Sequence, residues 1–178
     1  MVEPWLRGTR TEVDAVRRQI LHALELAAED IEQWCSGLSD SEMEERPFGI
    51  ASVGFHLRHI ARSLDRLLTY AEGKQLSPDQ IGLLSTELIA TPNSAAALAE
   101  AREGIDSAMA RVQQVSSGSF DDQRFVGRKR LPTTVGGLLV HCADHTQRHV
   151  GQAVTTAKVV VATMQKRRSE ISAHSDLQ

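Results

Sequence analysis

Aromatic side chains make up only 4% of this 178-residue chain, so any core must be built from aliphatic residues. Cysteine is scarcer still. Cys35 and Cys142 lie far apart and form neither a disulfide framework nor a CxxC metal knuckle, as expected of a protein kept in a reducing cytoplasm. No apolar run approaches the roughly 20 residues that a membrane span needs. The opening stretch "MVEPWLRGTRTEVD" lacks the apolar segment of a secretory signal. Excess positive charge is also missing. The formal net charge is −3, which gives no reason to expect a nucleic-acid partner. Sustained alternation of β-branched residues is absent, so little or no sheet is expected; "RFVGRKR" could pair only briefly. What remains is ordinary globular usage, 41% apolar and 24% charged, in a length that suits one domain over residues 1–178. The expected core covers about residues 10–166, with a frayed tail at 167–178.

Four long segments carry helical periodicity. Val13, Val16, Ile20, Leu24, Ala27, Ile31 and Trp34 mark a stripe on the first, from about Thr11 to Cys35. The second starts at Ser52, a plausible N-cap, and stops before Gly73. A short extra helix is expected after Ser77 and Pro78. Thr91 and Pro92 repeat that start signal for the third long helix, which ends near Val115. Residues 116–134 read as a long irregular loop, and the fourth long helix runs from Thr133 or Thr134 to about Lys166. The pattern predicts an all-α four-helix bundle, and the long third linker and extra short helix allow a crossover rather than a simple up-down order.

The fourth helix contains "HCADHTQRHVGQ", which sets His141, His145 and His149 four residues apart. At about 100° per residue, Leu138, Cys142, His145, His149, Gln152 and Thr156 fall within about 40° of one direction. His145 and His149 therefore sit amid a stripe that should face the interior, with His141 at its edge. Two inward imidazoles each bring two nitrogens that need partners, and one metal ion can satisfy one nitrogen on each ring. A hydrogen-bonded core pair is the alternative. A third ligand should come from a facing helix, where "GFHLRHIARSLDRLLTY" offers His56 and His59. The helical wheel mildly favours His56.

The segments "SVGFHLRHIARSLDRLL" and "HTQRHVGQ" together resemble the DinB/YfiT-like family of bacterial metalloenzymes, and helix order and lengths agree over about residues 10–166. The resemblance implies a four-helix bundle with a three-histidine metal site. Carried over by position, the ligands are His59, His145 and His149, because "HIA" aligns with the family's ligand histidine; His56 then becomes a pocket residue. It implies one divalent ion, zinc or nickel by the preference of imidazole, with iron or manganese as alternatives. Relatives of this fold are thiol-dependent transferases. The resemblance thus suggests a metal-dependent enzyme that activates a low-molecular-weight thiol against an electrophilic substrate, with hydrolysis as a further option and a homodimer left open.

The remaining candidates each have a plainer role. Cys142 reads as a small core residue or a fourth ligand, and Gln152 as a partner of a ligand ring or a helix–helix hydrogen bond. Arg124, Arg128, Lys129 and Arg130 read as a solvated basic loop, or, for Arg128 and Arg130, as a rim that attracts an anion. Asp65 and Glu87 are expected on a solvated face, and His22 and His174 are expected to be incidental. The position after His145 is Thr146, not the Glu of an HExxH protease. The rival function is a non-catalytic metal-binding bundle acting as a stress-response or interaction module, which a closed four-ligand site would favour.

Overall fold

The computed structural model describes residues 2–175, with side chains described through Glu170 except that of Arg168. Asp14 accepts hydrogen bonds from the backbone N–H groups of Val16 and Arg17, so α1 begins at this cap and spans Ala15–Cys35, starting later than the periodicity suggested. Ser39 and Glu42 form a reciprocal capping box that starts a short helix, α2, Asp40–Glu44, between the first two expected helices. Ser52 caps α3, Val53–Ala71, and Gly73 follows its end in a left-handed conformation at φ 75°. Ser77 caps α4, Pro78–Ser85, again with a capping box. Asn93, not Thr91, caps α5, Ser94–Gln114.

The expected irregular loop holds a hairpin. Strands β1, Gln123–Val126, and β2, Leu131–Thr134, pair antiparallel with Gln123 opposite Thr134 and Val126 opposite Leu131. Tertiary bonds hold this short ribbon. Arg124 Nε donates to the carbonyl of Ala71 at the end of α3, 2.8 Å. The first N–H groups of α6 donate to Asp122 and Phe120 carbonyls at 3.0 and 2.8 Å. α6 then runs from Val135 to Ser175. It passes the expected stop at Lys166 because "QKRRSEISAHS" contains no Gly or Pro; Lys166 and Glu170 add an ion pair one turn apart. Positions 176–178 of the expected tail lie outside the described residues, as does the side chain of His174.

α3 packs against both α5 and α6, and α1 packs against the same two helices, so α1 and α3 face each other across the bundle. α5 and α6 are likewise diagonal, whereas α3 and α5 are neighbours, so the chain crosses the bundle twice, the kind of crossover that the linkers allow. The core is aliphatic, as the scarcity of aromatics required. It comprises Ile20, Leu21, Leu24 and Ile31 of α1, Leu57, Ile60, Leu64 and Leu68 of α3, and a run of alanines with Ile105 and Val112 on α5. Val16 and Trp34 depart from the expected stripe and are exposed, Trp34 beneath the Lys158 ammonium. No helix among the described residues is long and apolar enough to cross a membrane.

Candidate metal centre

The seam between α3 and α6 gathers four histidines. Spacing of four on α6 sets His145 and His149 one turn apart and edge to face, with ring centroids 4.6 Å apart. From α3, His59 reaches them: its Nε2 lies 3.0 Å from His145 Nε2, and its ring lies 4.4 Å from that of His149. One nitrogen from each of His59, His145 and His149 falls within 4.8 Å of the others, the one such grouping of histidine, cysteine or carboxylate ligands among the described residues. His56 is buried beside them, with Nδ1 3.0 Å from His149 Nδ1.

The bond on the far side of the His59 ring turns its Nε2 toward that of His145. Glu87 Oε2 lies 2.8 Å from His59 Nδ1 and can accept only if that nitrogen carries the proton, which leaves Nε2 a bare lone pair. The contact with His56 engages His149 Nδ1, and where His149 is the donor its Nε2 is likewise a lone pair. Burial, and then the neighbouring imidazoles, push His145 and His56 down from 6.5 to about 4. Burial, then His59 and Arg148, do the same to His149. These rings are therefore neutral at pH 7, the state that ligates. Two nitrogens bound to one ion at about 2.0–2.1 Å stand roughly 3 Å apart, so the spacing of His59 Nε2 and His145 Nε2 fits an ion between them. His145 Nδ1 is buried without a protein partner.

Glu87 corrects the sequence reading. It is only 7% exposed, not solvated, because α3 supplies two arginines to it. Arg66 Nη1 lies 2.8 Å from Glu87 Oε1, at ion-pair distance but not aligned as a hydrogen bond. Arg58, 1% exposed, donates from Nε to the Glu87 carbonyl at 3.1 Å and from Nη1 to Glu44 Oε1 at 2.5 Å. Ser52 Oγ also donates to Glu44, so α2, the start of α3 and the segment after α4 are tied together behind His59. Phe55 stacks on the His59 ring at 5.5 Å. The sequence offers one hint of this role, a single carboxylate in the apolar run "GLLSTELIA".

The other candidates separate. Cys142 is fully buried in the core, its thiol pushed up to about 12 by burial, and it is not part of the three-nitrogen group. His141 is exposed and pairs with Asp144 at 2.9 Å. Gln152 is exposed beside His56 and lines a cavity with it. Arg130 lies over Phe125 and lines a different cavity, with Tyr70 and Gly73. Tyr70 is three helical turns from His59, about 16 Å along α3. The hairpin turn carrying Arg128 and Arg130 is thus not brought to the histidines. Asp65 is exposed and bound by Arg111, as expected. His22 is buried, with Nε2 3.3 Å from Thr9 Oγ1, and is not part of the three-nitrogen group.

The family described as the DinB superfamily matches residues 23–153. No curated protein matches the chain. Among solved structures, the chain is similar to YfiT from Bacillus subtilis, described as a probable metal-dependent hydrolase with an unusual four-helix bundle topology. The TM-score is 0.63 at 14% identity, over 84% of this chain and 90% of YfiT.

Proposed function

The chain belongs to the DinB superfamily, and from that premise we propose that it is a metal-dependent enzyme holding one divalent ion, zinc or nickel, at His59, His145 and His149. The observation that carries this is the convergence of three imidazole nitrogens within 4.8 Å, on rings of which two are fixed by hydrogen bonds at their other nitrogen. Bound there, the ion would supply a +2 charge that lowers the pKa of a coordinated water or thiol. Glu87 holds His59 in the tautomer with Nε2 turned to the site, and Arg66 pairs with the other Glu87 oxygen. His56 holds His149 in the same way where His149 Nδ1 is the donor between them. Phe55 limits rotation of the His59 ring and shields one of its faces.

No carboxylate or thiolate joins the three-histidine group among the described residues, so the ion's charge would be left uncompensated by the protein. That supports an exogenous anionic nucleophile over a closed structural site, because structural zinc sites are usually completed by four protein ligands. We take a low-molecular-weight thiol as that nucleophile and an electrophilic small molecule as the second substrate. Hydrolysis, with water in the thiol's place, is the second reading, favoured by the description that YfiT carries. Cobalt substitution separates the two. With cobalt in place of the native metal, one thiol of a panel should give a saturable sulfur-to-metal charge-transfer band. Water-dependent turnover of an ester or amide, with no spectral response to any thiol, would overturn the thiol assignment.

A further inference from the structure

We propose that the cavity beside His56, between the segment leading into α3 and the outer face of α6, binds a small molecule with an aliphatic body and a carboxylate, and that Arg148 recognises the carboxylate. The cavity measures about 430 Å³, in the range of small-molecule sites. Ile50 and Ala51 form one wall, Gly151 lies on the helix face opposite, and Arg148 and Gln152 supply the polar groups. His56 lines the same cavity and links it to the three-histidine group through His149. The proposal rests on the metal-enzyme reading only in treating the bound molecule as a substrate.

Two observations fix the ligand class. The first is Gly151. Glycine inside a helix is unfavourable relative to alanine, and here the fold gives no reason for it. A Cβ at Gly151 would meet nothing within 4 Å, whereas one at Gly104 would strike Ala61. At Gly151 the missing side chain leaves open space at the cavity. The second is the charge. The Arg148 guanidinium has one carboxylate near it, Asp144 at 3.7 Å, and that carboxylate is also engaged by His141 at 2.9 Å. The planar fork therefore retains donors for a second, bidentate carboxylate. Gln152 has no hydrogen-bond partner among the described residues and adds a neutral donor. The threonine hydroxyls on this face compete little, because Thr155 donates to the Gly151 carbonyl and Thr156 to that of Ala51.

The test is a titration of the full chain with hexanoate and with hexanamide, a neutral molecule of the same shape, followed by amide NMR shifts. It is run with and without one equivalent of zinc, so that direct carboxylate ligation to a metal is separated from binding in the cavity. In the metal-free protein hexanoate should shift the amides of Ala51, Gly151 and Gln152 saturably, and hexanamide should bind at least about tenfold more weakly. Arg148→Gln should erase that preference, and Arg148→Lys should keep part of it. Gly151→Leu should abolish binding of both probes with an unchanged amide spectrum elsewhere. Equal affinity for the two probes, a preference that survives Arg148→Gln, or no saturable hexanoate shift would overturn the proposal. Metal content measured on the same samples is an independent readout. A protein without metal that still selects hexanoate keeps this cavity and loses the metal-enzyme reading, and the converse result removes the cavity alone.

Discussion

α3 forms two long seams in this bundle, and they are built on opposite principles. Against α5 it is closed by small residues: a Cβ placed on Gly104 would come within 2.6 Å of Ala61 Cβ, so the two backbones nearly touch. The charged groups there, such as Arg62 with Glu100 and Arg111 with Asp65, stay at the rim. Against α6 the same helix presents His56 and His59, backed by Arg58 and Arg66. Buried polar groups cost stability unless each is satisfied, and apolar packing would make a better seam. One face of α3 therefore serves the fold, and the other carries groups that the fold alone would not need.

Protonation should break the comparison most strongly, because the histidines that burial shifts lie on the α6 seam. In the metal-free folded protein burial holds His56, His145 and His149 at about 4, against 6.5 ordinarily. Between those values the unfolded chain binds more protons than the folded one. Stability should thus be full above about pH 6.5 and fall as the pH drops toward about 4. Urea midpoints measured across this window check it, and a flat profile would contradict it.

Arg58→Met comes next. It keeps the bulk of a side chain that is 1% exposed but strands Glu44 and the Glu87 carbonyl, and should lower the unfolding free energy by about 2–3 kcal/mol, given that Glu44 retains some solvent contact. Denaturant unfolding would show this. Glu87→Gln retains the shape but loses the charge at His59, and should weaken zinc binding by about 10–100-fold with little change in fold, as read by competition with a chelator. On the other seam, Gly104→Ala should destabilise by about 1–2 kcal/mol despite the better helix propensity of alanine, because Ala61 backbone stands in the way. A gain in melting temperature instead would mean that the α3–α5 contact is looser than described.

These contrasts also explain what could be read from the sequence. Caps are local, so Ser52, Gly73 and the Ser77–Pro78 pair marked helix ends correctly, and Ser39 with Glu42 carried the same kind of signal in a helix of only 5 residues. Of the hairpin only a brief pairing at "RFVGRKR" was legible, because its anchors are bonds from Arg124 to Ala71 and from α6 back to Phe120 and Asp122. The helical wheel favoured His56 over His59 by burial, and His56 is indeed the more buried. The ring that meets His145 is nonetheless His59, because Phe55 and Glu87 hold it at the edge of the apolar arc. Glu87 itself was hidden, since its place depends on Arg58 drawing the segment after α4 onto α3, a contact between residues 29 apart.

The central claim is that His59, His145 and His149 hold one metal ion while the adjacent His56 and His141 do not. Elemental analysis of untagged protein and five single alanine variants tests it directly. One equivalent of metal is expected in the wild type, His56→Ala and His141→Ala, with His56→Ala binding somewhat less tightly, and almost none in His59→Ala, His145→Ala or His149→Ala. Full occupancy in any of those last three folded variants, or loss of the metal from His56→Ala as complete as from His145→Ala, would contradict the account.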